Sequence, residues 1–98
     1  MTWKNILSEY QNVTLENYCS RIGKATKRYM EQRPASERGE YRKSGIRCAE
    51  ALVKIGINAD DIKKGLKCYV RWESDQELDA ATEMVDIAFA NIRRDSRI

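Results

Sequence analysis

Apolar residues recur along the chain at intervals of three and four, the pattern of helices that each bury one face. Thr2 is placed to cap a short first helix carrying Trp3, Ile6, Leu7 and Tyr10 on one side. Gln11 to Thr14 read as an interruption, after which Thr14 caps a longer helix. Its stripe is Leu15, Tyr18, Cys19, Ile22, Ala25, Thr26, Tyr29 and Met30. Pro34, the only proline, predicts the end of that helix, because it lacks an N–H and restricts the residue before it. The segment 34–39 then reads as a polar connection.

A third helix is expected over 40–55, with Tyr41, Cys48, Ala49, Leu52 and Ile55 on one face and Ile46 and Val53 on another. Two apolar sides suit a helix placed centrally. Gly56 reads as a left-handed C-terminal cap with Ile57 as its hydrophobic contact. Asn58 can cap a fourth helix whose first turn holds Asp60 and Asp61, where negative charge suits the helix dipole. Ile62, Leu66, Tyr69 and Val70 form its core face, although the β-branched and aromatic run 68–72 also suits a short strand. The last helix, 75–93, repeats Leu78, Ala81, Thr82, Val85, Ala88, Phe89 and Ile92 without a miss, and Met84 and Ile87 widen its stripe. These segments predict a single all-α domain over 1–98, a compact bundle of four or five helices.

Composition adjusts this picture only slightly. Charged residues are 34% and apolar residues 42% of 98, the balance of one globular domain with a modest core, for which self-association into a homo-oligomer buries more surface. No apolar run approaches the roughly 18 residues of a membrane span, and the first residues lack a signal-peptide block, so a cytoplasmic protein is expected. Cys19, Cys48 and Cys68 are odd in number and widely spaced, which predicts reduced core thiols rather than a disulfide framework or zinc site.

The chain has no histidine, and that removes the usual neutral-pH general base and the Ser-His and Cys-His nucleophile pairs. Most zinc and haem sites go with it. No catalytic residues, metal site or cofactor is expected. Ile22-Gly23-Lys24-Ala25-Thr26 resembles the tail of a phosphate-binding loop, but its first glycine is missing and the segment is mid-helix by periodicity. Gly23, Gly45 and Gly65 also fall inside helices, where glycine costs about 1 kcal/mol relative to alanine. Close helix–helix crossings explain them best.

A net charge of +3 conceals two poles. Between 21 and 47, nine basic residues face three acidic ones, a balance of +6, whereas 73–86 holds six acidic residues and no basic one. Such fields steer and orient a partner. The candidate binding residues are Arg21, Lys24, Lys27, Arg28, Arg42, Lys43 and Arg47. The leading expectation is a non-enzymatic inhibitor, adaptor or subunit that engages a protein partner through a helical surface with a basic pole.

Two alternatives use the same charges. Leu52 to Ile62, with Gly56 at the turn and Asn58 as cap, resembles a helix-turn-helix over 52–71, which implies nucleic-acid binding. Lys63, Lys64, Lys67 and Arg71 would then offset Asp60 and Asp61 on the reading helix, or the 21–47 patch with Tyr29 and Tyr41 would track a backbone. The third reading is capture of a small anionic ligand such as a nucleotide between subunits. Arg21, Lys24 and Arg28 share a helical face that can hold phosphate, and Tyr10 or Tyr29 could stack a base.

Overall fold

Four helices account for most of the chain in a computed structural model, which describes residues 8–95. They are α1 (Glu9–Tyr29), α2 (Ala35–Lys54), α3 (Ala59–Tyr69) and α4 (Asp75–Asp95). The expected all-α bundle is therefore the fold. The short helix expected from Thr2 lies mainly outside the described residues.

The first helix starts earlier than its polar stretch suggests. Ser8 is its cap: the Ser8 hydroxyl accepts from the Gln11 N–H and the Gln11 side chain accepts from the Ser8 N–H, both at 3.1 Å. This reciprocal pair satisfies two otherwise orphaned donors. Gln11 to Thr14 do not interrupt the helix, and Thr14 is not a cap. Each unfavourable residue there costs only tenths of a kcal/mol, which the cap and the burial of Leu15 and Cys19 outweigh. The Gln11 amide also donates to the Ile55 carbonyl at 3.1 Å, tying the start of α1 to the end of α2.

Pro34 opens α2 rather than closing α1, which already ends at Tyr29. A proline at a helix start forfeits no intrahelical bond, and the Arg38 N–H donates to the Pro34 carbonyl at 3.0 Å. The segment 34–39 is thus largely the first turn of α2 instead of a connection. Arg38 reaches back to donate to the Tyr29 carbonyl at 2.8 Å, closing the α1–α2 hairpin at its other end.

The remaining boundaries follow their local signals. Gly56 adopts φ 95°, its N–H donates to Val53 and the Ile57 N–H donates to Leu52, the paired bonds of a glycine-terminated helix. Asn58 caps α3 through the Asp61 N–H at 2.8 Å. At the far end of α3, the Trp72 indole donates to the Leu66 carbonyl at 2.9 Å. Val70 is extended, as its residue type favours, but no strand forms among the described residues.

In the packed bundle, α2 lies between α1 and α4, while α3 closes mainly against α1 and α4. Leu15, Cys19 and Ile22 of α1 meet Ile46, Ala49 and Leu52 of α2 in one core. Ile62 and Leu66 enter it from α3, and Ala81, Met84, Val85 and Ala88 from α4. Met84, which widened the α4 stripe, is spent inside the protein: it is 2% exposed and its sulfur lies 3.6 Å from the Thr26 hydroxyl oxygen. Three helical glycines mark the tightest approaches. A Cβ at Gly23 would stand 2.7 Å from a Val70 methyl, one at Gly45 2.6 Å from the Met84 sulfur, and one at Gly65 3.0 Å from Cys19.

Gly39 differs from these, since a Cβ there would meet nothing within 4 Å. In urea denaturation, Gly39→Ala is expected to raise stability by about 0.5–1 kcal/mol, the helix-propensity gain. Gly56→Ala should lower it by about 1–2 kcal/mol, because alanine resists the left-handed conformation. A gain from Gly56→Ala would contradict the cap assigned to it.

Candidate functional site

The outer side of the α1–α2 hairpin carries a cleft of about 270 Å³. One wall is Arg21, Lys24 and Arg28, spaced i, i+3 and i+7 along α1, and the other is Tyr41, Ser44 and Cys48, with the same spacing along α2. Residues so spaced share a helix face, so each wall is a single stripe. Nearly buried Ala25 lies beneath, and its small side chain leaves the space open. Among the described residues, no carboxylate lines the cleft.

Two of the cationic side chains are oriented by aromatic rings. The Arg28 guanidinium sits 5.5 Å from the Tyr41 ring centre and Arg33 sits 5.4 Å from the same ring. Arg21 lies 5.0 Å over Tyr18 on its own helix. Such contacts hold a planar guanidinium in place while leaving N–H groups available at its edge. Burial pushes the Cys48 thiol above its ordinary range, with nearby Arg21 acting in the opposite sense, so the group is a neutral thiol at pH 7.

The structure brings together three of the seven candidate binding residues. Arg21, Lys24 and Arg28 line the cleft. Lys27 turns the other way and donates to the Arg71 carbonyl at 2.6 Å, where it ties α1 to the segment after α3. Arg42 faces Glu83 of α4 at 4.0 Å, Lys43 pairs with Glu40 of its own helix at 3.8 Å, and Arg47 is exposed outside the cleft. Ser44 and Cys48 escaped sequence reasoning, although their spacing from Tyr41 was a usable signal. The proposed stacking tyrosines are elsewhere. Tyr10 is 68% exposed near the start of α1, and the Tyr29 ring is covered by Arg38 at 5.2 Å.

The helix-turn-helix segment does form two helices joined by 55–58, but α3 packs chiefly on α1 and α4 and barely touches α2. Asp61 is buried, and Lys63 is drawn to Asp86 at 2.7 Å, which leaves Asp60, Lys64 and Lys67 exposed on α3. Among the described residues, the basic segment 21–47 thus meets the acidic one through Arg42–Glu83, while Asp86 is paired by Lys63 of α3. Among the described residues, no group of three or more potential ligand side chains could hold a metal ion.

The cysteines divide by environment. Cys19 is buried, Cys48 is half-buried and Cys68 is exposed, so the expectation of three core thiols holds fully only for Cys19. Burial, with a smaller contribution from Cys68, pushes the Cys19 thiol up to about 12. A disulfide-exchange reagent at pH 8 should therefore label Cys68 first and Cys48 more slowly, while Cys19 reacts only after unfolding. Equal labelling of Cys19 and Cys68 in the folded protein would contradict this placement. The raised Cys19 value also predicts stability that is unaffected below pH 9 and declines as pH rises from 9 toward 12, since only the unfolded thiol ionises in that window.

No family model matches this chain, and neither a curated protein nor a solved structure is significantly similar to it.

Proposed function

We propose that this is a non-enzymatic binding protein, a regulator or adaptor, that engages an acidic region of a protein partner through the basic face of α1 and α2. The observation that carries this reading is the convergence of Arg21, Lys24 and Arg28 on a cleft that no carboxylate lines among the described residues, with exposed Arg47 beyond it. Cations arranged this way accelerate encounter with an acidic surface and fix its orientation. Three free thiols suit a reducing cytoplasmic setting. The absence of histidine from the sequence supports binding over catalysis.

A second copy of the chain is the competing partner for this face. Exposed Asp75 and Asp79 of α4, with Glu83 and Asp86 along the same helix, offer the complementary charge. Basic face against acidic face is a heterologous contact, which closes into a ring or continues as an open assembly.

Affinity capture from the source cells, with quantitative mass spectrometry, tests the main reading. The wild type should retain a specific protein at physiological salt, and Lys24→Glu/Arg47→Glu should retain about tenfold less, a loss near 1.4 kcal/mol. Lys64→Glu, on exposed α3 surface, should retain it fully. Equal retention by the α1–α2 variant, or a monomer in light scattering that captures no protein, would overturn the reading.

A further inference from the structure

We propose that the α1–α2 cleft is a phosphoryl-binding subsite, in which a phosphate monoester is held by Arg21, Lys24 and Arg28 from one wall and the Ser44 hydroxyl from the other. The inference rests on the reading of this face as the binding face and adds the chemistry of what it binds.

The first support is the contrast between these cations and their neighbours. Lys27 is committed to a backbone carbonyl, Arg33 to Glu31 and Glu37 at 2.6 and 2.9 Å, Arg38 to the Tyr29 carbonyl and Lys63 to Asp86. Arg21, Lys24 and Arg28 instead stand in one stripe at i, i+3 and i+7, where like charges repel. A bound anion removes that repulsion, and among the described residues no carboxylate within the cleft does so.

The second support is the match of charge and donors. A phosphate monoester carries about −1.5 to −2 charge at pH 7 and three strong acceptor oxygens, whereas a carboxylate offers about one charge and two oxygens. Two guanidiniums and an ammonium suit the former better, and Arg28, steadied on Tyr41, and Arg21, steadied on Tyr18, present forked donors to it. The facing wall adds hydroxyl donors from Ser44 and Tyr41, and Cys48 stays a neutral thiol that does not repel an anion.

The third support is size. A cleft of about 270 Å³ lies just below the roughly 300–1,000 Å³ of sites for drug-sized ligands, so it fits one phosphorylated group on a short stem. Tyr41 is already engaged by Arg28 and Arg33 and is not a vacant stacking surface for a nucleobase. A phosphorylated side chain on a partner and a small free phosphate ester share the chemistry that remains.

Amide NMR titration of the full chain tests the proposal, using inorganic phosphate, O-phosphoserine, adenosine monophosphate and a serine peptide with and without its phosphate, all at matched ionic strength. Saturable shifts confined to 21–28 and 41–48 are expected for each phosphorylated probe, and none for the unmodified peptide. Arg21→Gln and Lys24→Gln should each weaken binding about tenfold, the effect of losing one charge-assisted contact, while Lys64→Gln changes nothing. Tighter binding of the phosphopeptide than of adenosine monophosphate assigns the phosphate to a partner side chain, and the reverse order assigns it to a free ester; both uphold the subsite. Shifts reproduced by sodium chloride, shifts centred on α3, or binding indifferent to both cleft substitutions would overturn it. Phosphate binding without any captured protein would retire the partner reading alone, and capture without a phosphate response would retire the subsite alone.

Discussion

The closeness with which neighbouring elements approach α1 constrains everything else in this molecule. At Gly23 the α1 backbone is met by the Val70 methyl groups, and across the same α1–α3 contact Gly65 is met by Leu15 and Cys19. Ala25 of α1 lies against Gly45 of α2, which also faces Met84 of α4. Each glycine forfeits helix propensity, and the return is direct contact between buried groups that would otherwise be held apart. Elements drawn this close to α1 leave a core with Leu15, Ile22, Leu52, Ile62, Leu66 and Val85 all fully buried.

The candidate site is an outward consequence of the same packing. Where α1 and α2 run together, the residues between them are small, Ala25 beneath and Ser44 on the facing wall, and the long cationic side chains stand at the rim. The hairpin is pinned at both ends, by Gln11 donating to the Ile55 carbonyl and by Arg38 donating to the Tyr29 carbonyl. Stripes of charge that would be a solvated face on an isolated helix are therefore held opposite a wall of neutral donors. Among the described residues, the acidic face of α4 forms ion pairs with Arg42 and Lys63.

Much of this was readable from the chain because the deciding signals are local. Gly56 and Asn58 act within one turn of their own positions, and α4 repeats its apolar residues regularly enough to specify its buried face. The failures also have local causes. Ser8 to Gln11 carries a capping-box pattern, yet the polar run that follows outweighs it when helix propensity is read alone. Pro34 is compatible with a helix end and a helix start, and only the chain on either side decides between them. For the site, the stripe of Arg21, Lys24 and Arg28 was legible as a periodicity. That Lys27 turns toward Arg71, and that Ser44 and Cys48 face the stripe, depends on how α1 and α2 rotate against each other, which is tertiary information.

The dependence on close approach is tested most directly by the unfolding free energy of Gly23→Ala in urea. Alanine gains about 1 kcal/mol of helix propensity at this position, but its Cβ would stand 2.7 Å from a β-branched side chain that cannot swing both methyl groups clear. Overpacking of this kind costs about 1–3 kcal/mol. Taking the middle of that range and subtracting the propensity gain, the packing described here predicts a variant less stable than the wild type by about 1 kcal/mol. A variant equal to or more stable than the wild type would show that α1 does not need its neighbours so close.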